Sequence, residues 1–140
     1  AELGARATEL VIPYRERSVE SVLERNLPEI LARSGESPTA LVLARSSFTL
    51  PLWKMLHDRG IRIPEDLSVI GREDENRSSY VNPPLTSFRH DQEEVGRLVS
   101  EAIQCLLAGR HEEIRSARVR PELIERESVR NLVAATARPS

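Results

Sequence analysis

The chain has 140 residues, 39% of them hydrophobic and 30% charged, and a formal net charge of −2 at pH 7. That length holds one domain with one sizeable core, and mixed charge near neutrality leaves no basic footprint for nucleic acid. No run approaches the roughly 18 apolar residues of a membrane span, and a single cysteine, Cys105, excludes an internal disulfide and suits a reducing cytoplasm.

Residues 1–7 are helix-compatible but short, and 8–12 (TELVI) read as a strand ended by Pro13. Ser18 is placed to cap a helix whose apolar positions Val19, Val22, Leu23, Leu27, Ile30 and Leu31 fall on one face. Pro28 interrupts that pattern, and at about 3 kcal/mol for an interior proline the expectation is a kink or two short helices near Asn26. Residues 34–37 (SGES) form the loop onward.

Three short apolar runs follow, 40–44, 67–71 and 85–88, each bounded by turn residues and each of strand length. Between the first two, Phe48, Leu52, Met55 and Leu56 repeat at helical period. Pro51 sits near the start of that helix, where it is tolerated, and Gly60 ends it. Ser46 and Ser47 are read as its cap, since no G-x-S-x-G elbow surrounds them. Strand, helix and strand with continuous apolar strands imply a parallel sheet buried on both faces, whose ligands sit at the carboxyl ends of the strands. Those ends are Arg45-Ser46-Ser47 and Arg72-Glu73-Asp74.

Asp91 and Glu94 give a D-x-x-E helix start, followed by a stripe of Val95, Leu98, Val99, Ala102, Leu106 and Leu107 closed by Gly109. Residues 118–125 read as a last strand, with Pro121 favouring an edge. From Val129 the pattern lapses, which divides the chain into a domain over 1–128 and a flexible tail over 129–140. No basic-then-apolar signal opens the chain, so secretion is not expected. His57, His90 and His111 lack metal-ligand spacing and no Gly-rich phosphate loop is present. No metal, no cofactor and no enzymatic activity are therefore expected. Cys105 reads as a small buried residue beside the helical stripe.

The order P-T-A at 38–40, R-G-I at 59–61, P-E-D-L-S-V-I-G at 64–71, an acidic pair, S-Y-V-N-P-P-L-T at 79–86 and E-x-x-G at 93–96 resembles the lactose/galactose-repressor (LacI/GalR) family of bacterial transcription regulators. The likeness covers about 38–128 and lies in the effector-binding domain, which has the fold of periplasmic sugar-binding proteins. The resemblance implies an α/β class, a three-layer parallel-sheet lobe of the periplasmic-binding-protein type. It implies that most of the carboxyl-terminal lobe is here, and that the helix at 92–108 belongs to the other lobe. That helix would dock on its own sheet or on a second copy of the chain.

The same likeness assigns ligand-binding positions. Glu73 matches an acid that bonds sugar or ribose hydroxyls; Arg72 stands where an aromatic is usual. Arg45 and Ser46 stand where the family commonly has Asn-Asp. Two readings stay open for Arg45: its planar fork of donors binds an anionic effector, or it pairs with Glu73 across the strand ends. Asp74, and Glu73 equally, also read as an ordinary charged loop. Phe48, Leu52, Trp53, Tyr80 and Val81 match elements that meet a second copy at a two-fold interface, with core packing as the alternative. The implied function is effector sensing and dimerisation within a cytoplasmic transcriptional regulator. Its partners would be a small-molecule effector (sugar, nucleoside or small anion), a second copy of the chain, and DNA only through a domain outside this chain. No membrane is implied, and a periplasmic solute-binding protein of a sugar transporter is the alternative.

Overall fold

Ser18 opens the first helix as its type suggests: its Oγ accepts the Ser21 N–H at 3.2 Å. The computed structural model describes residues 18–32, 39–72 and 77–131, and the chain divides into two units, Ala1–Ser37 and Pro38–Ser140. The strand expected at 8–12, the loop at 34–37 and the acidic pair Glu73 and Asp74 lie outside the described residues.

In the first unit, helix α1 runs Val19–Ala32. Pro28 does not divide it, contrary to expectation. Val22, Leu23 and Leu27 are buried, and at about 1.5–3 kcal/mol per buried side chain that face outweighs one interior proline.

The second unit contains strand β1 (Ala40–Leu43), helix α2 (Thr49–Asp58), strands β2 (Ser68–Arg72) and β3 (Thr86–Arg89), helix α3 (Gln92–Leu107) and strand β4 (Glu122–Ile124). The fold class is α/β. The sheet order is β1-β2-β3-β4. β1 and β2 are parallel with Leu43 opposite Gly71, and β2 and β3 are parallel with Arg72 opposite Phe88. β4 is antiparallel to β3, with Glu122 opposite Arg89. Among the described residues it takes the edge that Pro121 favours, but it is shorter than the expected run and leaves Val119 outside. Among the same residues β1 forms the other edge, and the expectation of cover on both faces fails there: Val42 is 75% exposed.

A 3-10 turn, Ser46–Phe48, leads into α2. The serines do not cap it. The cap positions are Arg45 and Phe48, and neither side chain makes a capping bond. Beyond α2, Gly60 takes φ +69°, a left-handed conformation open to glycine without strain, and donates to the His57 carbonyl at 2.9 Å. The next turn is pinned by Asp66, which accepts from the Arg62 backbone N–H at 2.9 Å, from Nε at 2.8 Å and from Nη2 at 2.7 Å.

Phe48, Leu52, Trp53, Met55 and Leu56 of the α2 region and Leu67, Val69, Val81 and Leu85 of the sheet region form this unit's core. Gly71 suits that packing, because a Cβ there would stand 2.7 Å from Leu85 Cδ2 and the buried Leu85 side chain would have to shift. The segment after β4 returns to the sheet. Ser128, fully buried, accepts from the Thr86 N–H at 2.8 Å and donates to the Val69 carbonyl at 2.6 Å. Arg126 Nη1 donates to the Leu85 carbonyl at 2.7 Å and to Ser87 Oγ at 2.9 Å. The start of the expected tail is anchored as well, with Arg130 N–H bonded to Ser68 Oγ at 3.1 Å; 132–140 lie outside the described residues.

α3 starts as read, with Asp91 Oδ1 accepting the Glu94 N–H at 3.0 Å. Arg97 then bridges Glu94 and Glu101 on its polar side. None of its side chains is buried: Val99, Ile103, Leu106 and Leu107 are exposed, and Cys105 is half-buried rather than buried.

Candidate functional site

Because β1, β2 and β3 are neighbours and parallel, their carboxyl ends emerge along one edge of the sheet. In open α/β sheets this is the edge where ligands bind. Arg45 lies two residues beyond Leu43. Glu73 lies two residues beyond Gly71, the partner of Leu43 in the ladder.

Arg45 keeps an extended backbone, φ −130° and ψ 128°, and its guanidinium carbon sits 5.6 Å from the centre of the Phe48 ring. That ring is buried, so its face gives the charged fork a fixed platform. Ser46 is half-buried at the start of the 3-10 turn. Arg72 closes β2 and is exposed.

The end of β3 adds residues that sequence reasoning passed over. Arg89 Nη2 donates to Glu122 Oε2 of β4 at 2.9 Å. Arg89, Asp91, Gln92, Arg120 and Glu122 line an open cavity of about 450 Å³. Arg89 carried a legible signal, since it ends its strand as Arg72 does. Arg120 and Glu122 carried none, because only the antiparallel placement of β4 brings them there. Among the described residues no group of three or more His, Cys, Asp or Glu could hold a metal.

The five residues assigned to a two-fold interface divide. Phe48, Leu52, Trp53 and Val81 are covered by the chain itself, and Trp53 Nε1 donates to the Pro83 carbonyl at 3.2 Å. Trp53 thus widens the core face. Tyr80 is 85% exposed. The stretch around it is not a strand but a 3-10 turn, Arg77–Ser79, followed by bends.

Residues 1–129 match the family model of the periplasmic binding protein-like domain. Over 97 residues the chain is 35% identical to the HTH-type transcriptional repressor PurR of Vibrio atlanticus (strain LGP32), covering 69% of this chain and 29% of that protein. Among solved structures it is similar to a LacI family transcriptional regulator from Bifidobacterium animalis subsp. lactis DSM 10140. That likeness has a TM-score of 0.72 at 29% identity and covers 91% of this chain and 45% of the other. The Escherichia coli transcriptional repressor ascG matches with a TM-score of 0.59 at 26% identity, over 80% of this chain and 38% of that one. The chain spans less than a third of the length of these curated PurR relatives. Among the described residues no helix is long and apolar enough to cross a membrane.

Proposed function

Because the chain belongs to the periplasmic binding protein-like domain family, in the form similar to LacI-type repressors, we propose that it is the effector-sensing part of a cytoplasmic transcriptional regulator. The observation that carries this reading is the common edge at which three adjacent parallel strands end. Arg45 and Ser46, which follow β1, meet a small polar effector, and Glu73 and Asp74, next in sequence after β2, join them in this reading. Such a ligand shifts a lobe equilibrium only by its differential affinity for the two states. DNA is read by another part of the protein, and a second copy of the chain completes a dimer.

The relatives reported above are transcriptional repressors or regulators rather than transporter receptors or enzymes, which favours the regulator over the solute-binding protein. A thermal-shift panel of sugars, nucleosides and small anions on the purified chain tests the reading. Stabilisation follows ligand concentration over Kd, about 2.7 kcal/mol at a hundredfold excess. At least one compound class is expected to raise Tm with saturation, and a panel with no such member would sink the proposal.

A further inference from the structure

The stretch that follows β4 is stitched to the sheet at nearly every step. Arg126 N–H donates to Thr86 Oγ1 at 2.9 Å, and its Nη1 reaches the Leu85 carbonyl and Ser87 Oγ. Glu127 N–H donates to the Pro84 carbonyl at 3.2 Å. Ser128 joins the entry ends of β2 and β3. Its carbonyl accepts the Val69 N–H at 2.8 Å, while its hydroxyl accepts the Thr86 N–H and donates to the Val69 carbonyl. Arg130 closes the run, with its N–H on Ser68 Oγ and its Nη1 on the Glu65 carbonyl, both at 3.1 Å. Glu65 lies in the turn between Arg62 and Asp66 that the Asp66 carboxylate pins.

From Glu122 to Arg130, one continuous run of chain thus crosses the sheet from edge to edge. It starts opposite Arg89 at the carboxyl end of β3 and finishes at the amino end of β2 and the turn before it. Residues 90–121 leave the sheet at Arg89 and return at Glu122. They contain α3, which buries none of its side chains. A segment with so little buried surface moves at low cost, so the rung where it leaves and returns governs its position. That rung is the exposed Arg89–Glu122 pair. The far end of the run is firm by contrast, since Ser128 and Val69 are fully buried.

We propose that Glu122–Arg130 is a transmission strap, which carries a displacement of residues 90–121 to the entry ends of β2 and β3 and to the Arg62–Asp66 turn. Coupling between distant sites travels through bonded and packed groups that respond together, and the bonds at Arg126, Glu127, Ser128 and Arg130 form such a route. The inference stands apart from the effector reading: no outcome below bears on whether the carboxyl edge binds a ligand.

Amide hydrogen exchange of the full chain, followed residue by residue by NMR, tests the strap. The N–H groups of Val69, Thr86, Glu127 and Arg130 each end in one of its bonds. The perturbation is Glu122→Arg, which sets like charges opposite each other at the base rung. Both side chains there are exposed, so the variant keeps the fold. All four amides are expected to exchange about twofold to fivefold faster, the size of one cross-strand charge pair, while the amides of α2 keep their rates. Coupling is reciprocal, so Arg130→Ala, also at an exposed residue, speeds the β4 amides by a similar factor. A change confined to β4 and Arg89, or no change, overturns the strap, and so does an effect in one direction only. An equal rise in α2 overturns it too, because the whole unit is then loosened rather than one run of it.

Discussion

A hydroxyl out of contact with solvent that both donates and accepts holds two backbone groups at once. Ser128 does this between the Val69 carbonyl and the Thr86 N–H. Ser128→Ala removes the partner of both groups in the core, and at about 1–3 kcal/mol for each unsatisfied group the expected loss is about 2–6 kcal/mol. Urea unfolding should show a lower midpoint at unchanged slope; a loss under about 0.5 kcal/mol would mean that water replaces the hydroxyl. Asp66 makes a pH-dependent contribution of the opposite exposure. The Arg62 guanidinium, then the Arg62 backbone N–H, hold its carboxyl down to about 2 from 3.8. A depressed folded pKa means that the stabilisation is present above the unfolded value and is lost as pH falls from about 3.8 through 2. A carbon-13 titration of the Asp66 carboxyl should give its midpoint near the lower value, and Arg62→Ala should return it towards the ordinary one. The two residues also differ in legibility. Asp66 bonds within its own turn and stands inside a motif that the sequence displays. Ser128 has partners 42 and 59 residues away, and no local pattern announces such a bond.

Among the elements, α3 has the clearest apolar stripe and the least burial. Val99, Ile103 and Leu106 stay about half exposed and Leu107 is 85% exposed. A side chain that keeps half of its water contact on folding contributes at most about half of the 1.5–3 kcal/mol of a fully buried one. Val99→Lys combined with Ile103→Lys should therefore lower the unfolding free energy of this chain by no more than about 1 kcal/mol per site. Self-association, followed by light scattering, should decrease. A loss of several kcal/mol would show that something in solution covers the stripe. Periodicity and apolar runs located α1, α2, α3 and the four strands of the second unit. The limits of β1, β2 and β3 are displaced by about one residue, whereas the run expected over 118–125 shrinks to Glu122–Ile124. The pattern missed that α2 begins through a 3-10 turn rather than a serine cap, because these two ways of starting a helix differ in backbone angle and not in composition. It also overrated Pro28, since a local penalty was weighed without the burial of Val22, Leu23 and Leu27. At the site, the edge was legible because alternating strand and helix fix where parallel strands end. The contribution of β4 was not, since the partner of a short antiparallel strand is decided by distant contacts.

For the molecule as a whole, the proposed dimer has to be built from what the chain leaves uncovered. Leu52 is fully buried, and Phe48, Trp53 and Val81 retain under a tenth of their surface. These four can shape a two-fold interface from beneath but have little area to give it. Tyr80, at 85%, and Leu50, on α2 at 64%, can still lose water to a partner, and an aromatic with a polar tip suits such a contact. Substituting the buried set would confound assembly with folding, because truncating a packed Trp or Phe costs about 3–5 kcal/mol. The informative variant is Tyr80→Glu with Leu50→Glu, both on the surface. If a second copy docks here, sedimentation should shift from a species of twice 15.8 kDa to one of 15.8 kDa, with Tm at low concentration unchanged. A dimer that survives both carboxylates at micromolar concentration places its interface on another surface, because two buried unpaired charges are too costly to keep.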